Sequence, residues 1–329
     1  MKLRQIIHFF TYHLYQAYRM SDRKVKEKLL KFYYSSNGPA ITRSSRTCIV
    51  FMVDGRIIHG GLSDRLRGMV SMYKFAKEHN YNFKIYHRYP FALEKYLQIN
   101  KVDWHIDDND IVYDLKQAQP VFIESLRHWG CNWTAHRYLC SRIKNDGRQY
   151  HVYTNLDLTG NKFNNYFSEL FVPAPQLKEQ IKLLEQEFGN NYIAMVFRFQ
   201  QLLGDFKEGN YPILSENEQK ILIAKCQTKM EEIRLAHGQT QKVLVTSDSS
   251  TFLYTINQMP NYMTIPGRVV HMDYSVNEQA NIYLKSFIDL MMLSRAEKIY
   301  LLYTDKMFHS GFALRAARIS GTVYEEIAF

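Results

Sequence analysis

The sequence predicts an α/β protein built from two doubly wound domains, and three observations favour this class. The chain has 329 residues, too many for one ordinary core, and 46% of them are apolar. Short apolar runs of strand length alternate with longer segments of helical spacing. Strands separated by helices in this way form parallel sheets, because each helix returns the chain to the starting edge of the sheet.

The first half predicts an N-terminal domain over residues 46–175. Its opening strand, Cys48–Val53, is a continuous apolar run, as expected for a strand buried on both faces. Further elements are expected as a helix at 62–80, a strand at 82–87, a helix at 133–144 and a strand at 150–154. Pro173 and Pro175, followed by a charged segment, indicate the linker to the next domain.

The second half predicts a C-terminal domain over residues 176–329. Strands are expected at 192–199, 242–246, 263–265 and 298–302, and helices at 176–188, 215–237, from about 249, 278–294 and 310–319. Ser215 with Glu218 has the spacing of a capping box, and Gly321 is a typical helix-ending glycine. Ligands of doubly wound sheets bind beyond the carboxyl ends of the strands. We therefore expect functional residues just after Val53, Phe197, Thr246 and Leu302.

Residues 1–45 are expected to form a basic, aromatic leader helix, and this segment holds much of the net charge of +10. Its most apolar run, 6–18, is too short and too polar to span a bilayer. A helix on an anionic membrane surface and a helix packed on the protein body both remain open. Four scattered cysteines favour a reducing compartment and no structural zinc. We expect a cytoplasmic protein, peripheral at the inner face of the membrane if the leader binds there.

A glycine pair after the first strand predicts a substrate-binding turn. Gly60 and Gly61 permit close backbone approach, and the following helix opens at Asp64. Helix N-termini attract anions and hydroxyl-rich groups, so this turn, with Arg65 and Arg67, is expected to contact substrate. An ordinary capped helix with solvated arginines is the alternative.

An arginine at the end of an apolar strand predicts an anion contact. Arg198 follows Phe197, and burying its charge is unfavourable unless it is paired. At the carboxyl end of the strand its planar fork suits a phosphate. The alternative is a structural ion pair with an acid such as Asp205.

Two further strand-to-helix turns are expected to contact a nucleotide. Ser247, Asp248 and Ser249 offer hydroxyl and carboxylate groups to a base or ribose. The second turn, Ser310, Gly311 and Phe312, begins a helix whose N-terminus would complement a pyrophosphate. Plain helix caps are the alternative for both turns.

The sequence predicts no metal site. His59, His87, His271 and His309 occur singly, and no metal-binding histidine motif is present. Asp108, Asn109 and Asp110 have the letters of a D-x-D motif but lie in a polar stretch that favours a solvated loop.

These segments, in this order, resemble the fucosyltransferase superfamily with a GT-B fold, which includes bacterial and plant α1,2/α1,6 enzymes and protein O-fucosyltransferases. The similar segments span most of the chain from residue 46 onward. Residues 60–66 resemble the family's G-G-L-G-N-R-L opening, 196–198 its H-x-R strand, and 245–248 its strand ending in S/T-D-S. Residues 286–294 and 310–317 are similar to its D-L-L-L-L-S helix and S-x-F-S-x-x-A-A segment. Val196 replaces the motif's histidine, and Asp64 replaces its asparagine.

The resemblance implies two Rossmann-like domains facing a cleft, with the acceptor on the N-terminal domain and the donor on the C-terminal one. It implies an inverting transfer of a sugar from a nucleotide-sugar donor, most plausibly GDP-fucose, to a glycan hydroxyl. Arg198 and the helix at Ser310 would stabilise the departing diphosphate without a metal. Asp64 is expected as the general base, with Asp205 as the alternate. No cofactor is expected beyond the donor substrate.

Two other classes of function remain open. The replacement of the motif's histidine by Val196 allows a catalytically idle sugar-nucleotide or glycan-binding protein of the same fold. The positive net charge allows a nucleic-acid-binding protein. Basic and aromatic residues do not alternate along the body of the chain, and a recognised nucleic-acid-binding motif is lacking, so nucleic acid is not an expected partner.

Overall fold

A computed structural model describes residues 24–36, 46–124, 132–206, 211–273 and 281–329. These residues form two compact units. Unit 1 contains residues up to His59, Arg65–Tyr89 and Asp103–Gly160. Unit 2 contains Gly60–Asp64, Pro90–Val102 and Asn161–Phe329.

Unit 1 is built on a four-stranded parallel sheet. Numbered along the whole chain, its elements are α1 at residues 24–31, β1 Cys48–Val53, most of α2 Leu62–Glu78, β2 Asn82–His87, β4 Ala118–Ile123, α3 Asn132–Arg142 and β5 Gln149–Thr154. The strand order is β2-β1-β5-β4, and every pairing is parallel. The apolar strand β1 lies inside the sheet, where its neighbours bury it on both sides.

Unit 2 contains a five-stranded parallel sheet and a short antiparallel pair. Its strands are β3 Leu97–Ile99, β6 Phe171–Pro173, β7 Tyr192–Phe197, β8 Lys242–Ser247, β9 Tyr262–Thr264, β10 Lys298–Tyr303 and β11 Val323–Ala328. Its helices are α4 Phe163–Leu170, α5 Pro175–Phe188, α6 Glu216–His237, α7 Ser250–Ile256, α8 Leu284–Leu293 and α9 Phe312–Ser320. Strands β3 and β6 form the antiparallel pair.

The strand order of the large sheet in unit 2 is β9-β8-β7-β10-β11. Counted within this sheet alone, this is the 3-2-1-4-5 order of dinucleotide-binding domains. The direction of winding reverses between β7 and β10, and ligands of such sheets bind beyond the carboxyl ends of the strands at this switch point. The residues after Phe197 and Tyr303 therefore occupy the expected ligand position.

The predicted α/β class with parallel sheets is confirmed, as are the capping box at Ser215 and the left-handed Gly321 after α9. Among the strands and α-helices of the described residues, five escaped prediction: β3, β4, α4, β6 and β11. Strand β4 contains Pro120, which is tolerated because β4 is an edge strand. Strand β11 is also an edge strand, and its two central glutamates and largely exposed side chains hide the strand pattern.

The units divide differently from the domains expected from the sequence. Residues 161–175 belong to unit 2, where the guanidinium of Arg315 in α9 lies 4.3 Å from the ring centre of Phe163 in α4. The Gly60–Asp64 turn also belongs to unit 2, although the sequence assigned it to the N-terminal domain.

The part of the leader that the structure describes, residues 24–36, packs into unit 1. Leu30 is 1% exposed and lies in a core cluster with Val50 and Met52 of β1. Glu27 accepts hydrogen bonds from the Tyr138 hydroxyl (2.8 Å) and from the Phe122 backbone N–H (3.2 Å). The packed-helix alternative therefore holds for this part, and the apolar run at 6–18 lies outside the described residues. Within the described residues, no helix is both long enough and apolar enough to cross a membrane.

Leu30→Ala should lower the free energy of unfolding by about 2–3 kcal/mol, since it opens a cavity beside β1. The neighbouring Leu29 is 54% exposed, and Leu29→Ala should change stability by less than about 0.5 kcal/mol. Urea unfolding of both variants measures the difference. Equal midpoints would show that the leader contributes no core packing.

Candidate functional site

Arg198 follows β7 at the switch point of unit 2. Its Nε lies 3.3 Å from Oδ2 of Asp248, and its guanidinium carbon lies 4.5 Å from the ring centre of Phe206. The ion-pair partner is therefore Asp248, where the sequence suggested an acid such as Asp205. The side chain of Arg198 remains 17% exposed, so this cation reaches the surface at the carboxyl edge of the sheet.

Asp248 holds the turn after β7 in place. Its two carboxylate oxygens accept hydrogen bonds from the backbone N–H groups of Phe199 (2.8 Å) and Gln200 (2.7 Å). Burial raises the pKa of Asp248, while Arg198 and these N–H groups oppose the shift. The Asp248 side chain is only 1% exposed and forms an ion pair with Arg198, so its role is to orient that arginine. It is neither a plain helix cap nor accessible to a ribose.

Ser249 and Asp205 close the N-terminus of α7. Ser249 accepts a hydrogen bond from the Phe252 N–H and donates one to Oδ2 of Asp205 at 2.9 Å. The same Asp205 oxygen accepts the Thr251 N–H at 2.7 Å. Ser247 accepts the Ser249 N–H at 3.1 Å. The cap expected in this turn is thus shared by Ser249 and Asp205.

Buried polar atoms gather at the carboxyl edge of this sheet. Within the described part of the chain, Gln200 Nε2, Thr246 Oγ1 and Thr304 Oγ1 have no hydrogen-bond partner. Gln200 lies shortly after β7, Thr246 is the second-last residue of β8, and Thr304 directly follows β10. Each of the three residues is at most 7% exposed. Buried polar atoms are otherwise nearly always paired, so these three indicate where polar groups of a ligand or ordered water would bind.

The segment that leads into helix α9 contacts the backbone of Arg198. The Phe308 N–H donates to the carbonyl oxygen of Arg198 at 3.0 Å, which fixes the segment after β10 against the end of β7. Ser310 accepts the Phe312 N–H at 3.2 Å, while Gly311 at the helix N-cap is exposed and has no side chain to cap the helix. The nine-residue helix α9 therefore begins four residues after this contact with the backbone of Arg198.

The Gly60–Asp64 turn lies against this helix start, within unit 2. Ser63 Oγ donates to the carbonyl oxygen of Gly311 at 3.1 Å, and the Gly60 N–H donates to Asp273 at 2.6 Å. The sequence did not single out Asp273, because it follows no strand and matches no motif. The structure thus brings together two segments that lie about 250 positions apart in the chain.

Asp64 lies in the first turn of α2 and is half-buried. Gly60 has φ +80°, and a Cβ added there would lie 2.8 Å from Asp64 Oδ2. Only glycine fits this position, because a side chain would both strain the backbone and meet the carboxylate. Gly61 has open space around its Cα.

The two arginines that follow this turn in α2, Arg65 and Arg67, differ in burial. Arg65 is 1% exposed, and its Nη1 donates to the Tyr89 carbonyl at 2.7 Å and lies 3.3 Å from His87 Nε2. It therefore has a packing role in place of the substrate contact expected from the sequence, and it is not solvated. Arg67 is half-buried.

Unit 1 has a polar cluster at the switch point of its own sheet, between β1 and β5. Asp54 directly follows β1 and accepts hydrogen bonds from the Tyr153 hydroxyl (2.7 Å) and the Arg56 N–H (3.1 Å). The Arg56 guanidinium lies 4.0 Å from the ring centre of Tyr113. The sequence predicted functional residues after Val53. It assigned the contact to the glycine pair that begins six residues after Asp54, and Asp54 itself was not singled out.

His59 belongs to the same cluster. Its Nε2 accepts the Gly55 N–H at 3.0 Å, and its side chain is 4% exposed. Burial, with the nearby Arg65 charge, lowers the pKa of His59 to about 3. This imidazole is therefore neutral at physiological pH and too weak a base for proton abstraction.

Helix α8, in the segment similar to D-L-L-L-L-S, contains a buried ion pair. Lys285 Nζ bonds both carboxylate oxygens of Asp289, the second at 2.6 Å, and the two side chains are 5% and 3% exposed. Burial raises the pKa of Asp289, and the Lys285 ammonium opposes the shift. The backbone of Gly267 lies beside the aliphatic part of the Lys285 side chain. A Cβ added at Gly267 would lie 3.4 Å from Lys285 Cδ.

The histidines assemble more than the sequence indicated. His79 and His136 lie together with Cys140 in unit 1, so the expectation that no histidine cluster forms is wrong. The segment Asp108–Asp110 forms a short exposed 3-10 turn in which Asp108 pairs with Arg88, in agreement with a solvated loop.

Comparison with solved structures identifies the fold. The chain is similar to the NodZ α-1,6-fucosyltransferase soaked with GDP-fucose, with a TM-score of 0.57 and 14% identity over 87% of this chain and 95% of that chain. It is similar to the fucosyltransferase NodZ from Bradyrhizobium in selenomethionine form, with a TM-score of 0.54 and 14% identity over 88% and 95% of the two chains. It is also similar to a mutant of Arabidopsis thaliana FUT1 in complex with GDP, with a TM-score of 0.51 and 10% identity over 92% of this chain and 74% of that chain.

No protein-family model and no curated protein sequence matches the chain. Identities of 10–14% are low, so the likeness concerns the fold. The chain has the GT-B fold of these fucosyltransferases, and the fold expected from the resemblance is confirmed.

Proposed function

We propose that this protein is a glycosyltransferase that takes a sugar from a nucleoside-diphosphate donor, with GDP-fucose as the first donor to test. The observation that carries the proposal is the hydrogen bond from the Phe308 N–H to the Arg198 carbonyl, which joins the segment leading into α9 to the end of β7 at the switch point of unit 2. A guanidinium fork and a helix N-terminus at adjacent strand ends are the two groups that a diphosphate needs. The fold shared with GDP-bound fucosyltransferases supports the same donor class.

The proposed reaction is an inverting displacement at the anomeric carbon. The acceptor hydroxyl of a glycan attacks, the glycosidic bond to the donor breaks, and the nucleoside diphosphate departs with its negative charge. Arg198 and the N–H groups of α9 would stabilise that charge as it develops. Asp248 and the buried backbone around it hold the arginine in position before the donor binds, which lowers the entropy lost on binding.

A thermal-shift panel of GDP, GDP-fucose, UDP, CDP and single-stranded RNA tests the donor class. A ligand at 1,000 times its Kd stabilises the folded state by about 4 kcal/mol, so the true ligand should raise Tm markedly. We expect GDP and GDP-fucose to do so. A shift with RNA alone, or with none of the nucleotides, would overturn the proposal. GDP-fucose binding without GDP release in the presence of a glycan mixture would favour a binding protein of the same fold.

Arg198→Ala should reduce kcat/KM roughly 30- to 1,000-fold, because it removes a charged contact to the leaving group. This corresponds to a loss of about 2–4 kcal/mol of transition-state stabilisation. Arg198→Lys should also be poor, since an ammonium cannot reproduce the fork or the contact with Asp248. Initial rates of GDP release measure the effect. Arg295→Ala is the control, because this arginine pairs with Glu185 elsewhere in unit 2. Wild-type rates in a folded Arg198→Ala protein would return Arg198 to a structural role.

Transfer should be independent of divalent metal. The charge on the departing diphosphate would be met by Arg198 and α9, so excess EDTA is expected to leave the rate of GDP release nearly unchanged. The measurement is best made after brief exposure to EDTA, with inorganic salt constant. A rate that falls and is restored by Mn²⁺ or Mg²⁺ would contradict this mechanism.

A further inference from the structure

Three metal-ligating side chains from two helices of unit 1 meet at one point. His79 follows the last turn of α2, and His136 and Cys140 lie one turn apart in α3. Cys140 Sγ is 3.6 Å from His79 Nε2 and 3.7 Å from His136 Nδ1. The three ligand atoms all lie within 4.8 Å of one another.

The two sulfur–nitrogen distances match those of a tetrahedral zinc site. Bond lengths of about 2.3 Å to sulfur and 2.0–2.1 Å to nitrogen place the sulfur and nitrogen ligands about 3.5–3.6 Å apart. The side chains are thus nearly at ligand spacing already, and a metal would require little rearrangement. A thiol hydrogen bond to imidazole has a similar length, so the experiment must separate the two.

The orientation of His79 is set by a second contact. Its Nδ1 lies 2.8 Å from the Phe75 carbonyl oxygen, which can only accept, so this nitrogen carries the proton. The lone pair is therefore on Nε2, the atom that faces Cys140. A backbone carbonyl bonded to the far ring nitrogen is the usual arrangement behind a zinc-bound histidine. The ring also stacks on Phe75, with centroids 4.2 Å apart.

We propose that His79, His136 and Cys140 bind a zinc ion, with a water molecule as the fourth ligand. One thiolate and two imidazoles form a ligand set that zinc prefers over magnesium or calcium. All three residues are half-buried, which leaves the fourth position open to solvent. The sequence hid the set, because His79 and His136 are 57 positions apart and neither belongs to a motif.

The site lies away from the carboxyl edge of the unit 1 sheet. Strand β1 runs toward Asp54 at the carboxyl edge of its sheet, and α2 then returns to the amino edge, where β2 begins at Asn82. His79 lies at this returning end, on the opposite edge from Asp54. A zinc ion at this position would link α3 to the end of α2. The proposed site is independent of the proposed transfer reaction.

The test is metal titration of the full chain after removal of bound metal with a chelator. We expect one equivalent of Zn²⁺ to bind, and Co²⁺ in its place to give the visible bands of a four-coordinate ion with a near-ultraviolet thiolate charge-transfer band. Cys140→Ala and His136→Ala should weaken Zn²⁺ binding by more than about 100-fold, beyond the loss known for second-shell contacts. Cys48→Ala and His105→Ala, two changes elsewhere in unit 1, should bind as the wild type does.

A measurement on the wild type guards against variants that fail to fold. Zn²⁺ should protect Cys140 from alkylation by N-ethylmaleimide, read by mass spectrometry of the Cys140 peptide with and without the ion. Absence of stoichiometric binding, a cobalt spectrum without the thiolate band, or equal alkylation of Cys140 in both conditions would each overturn the proposal.

Discussion

Lys285→Met should lower the free energy of unfolding by about 3–5 kcal/mol, the loss expected when one partner of a buried ion pair is removed. The change leaves the Asp289 carboxylate in the core of unit 2, where its side chain is 3% exposed and Lys285 was the partner of both oxygens. Methionine has a similar length and stays apolar, so lost packing contributes little. Chemical denaturation at pH 7.5 measures the effect.

Two variants separate the buried charge from the loss of a lysine. Lys298→Met removes a surface ion pair with Glu325 in the same unit, in which the two side chains are 27% and 48% exposed, and should cost less than about 1 kcal/mol. Lys285→Met combined with Asp289→Leu removes both charges and should recover most of the stability. A double variant as unstable as Lys285→Met alone would mean that packing, and not the stranded carboxylate, is responsible.

The pH dependence of Lys285→Met follows from the direction of the Asp289 shift. Burial raises the pKa of Asp289 above its unfolded value, and loss of Lys285 removes the ammonium charge that opposes this rise. The folded protein then holds a proton that the unfolded chain releases, so stability falls as pH rises through this window. The deficit of Lys285→Met relative to wild type should therefore be smaller near pH 5 than near pH 8. A deficit that grows toward acid would reverse the sign of the proposed shift.

The main strands could be predicted from the sequence because their signals are local. Strands β1 and β7 are continuous apolar runs, and α6 begins with its capping box. The same reasoning placed Arg198 at a strand end in the ligand position, since strand ends converge in a parallel sheet. Edge strands such as β11 lack this signal, because one side faces solvent and polar side chains are tolerated there.

The partners of the site residues could not be predicted, because they depend on contacts between distant segments. Asp248 is bonded by the backbone of residues 199 and 200, and a backbone N–H has no sequence identity to recognise. Asp273 binds the Gly60 N–H across 213 positions in the same way. The burial of a side chain also could not be predicted from the sequence. Arg65 and Arg67 are two residues apart, yet Arg65 is buried and Arg67 is half-buried.

Asp64→Asn should reduce the rate of sugar transfer by about 10²–10⁴-fold if Asp64 is the general base, and it is the variant with the largest expected kinetic effect. The structure includes Asp64 in unit 2 and leaves it half-buried. Asp64 follows Ser63, whose hydroxyl bonds Gly311 at the start of α9, so it lies in the unit that contains Arg198. The sequence expected it on the domain opposite the donor motifs, and that premise is corrected here.

Asparagine separates a base from a helix cap. It stabilises a helix N-terminus about as well as aspartate but cannot take a proton, so the folded state of Asp64→Asn and its GDP affinity should stay unchanged. Asp205→Asn is the matched control, because Asp205 caps α7 through one oxygen that an amide carbonyl can replace. Single-turnover rates with saturating GDP-fucose compare the two. If Asp64→Asn transfers at the wild-type rate while Asp205→Asn does not, the base is Asp205 and Asp64 serves only the first turn of α2.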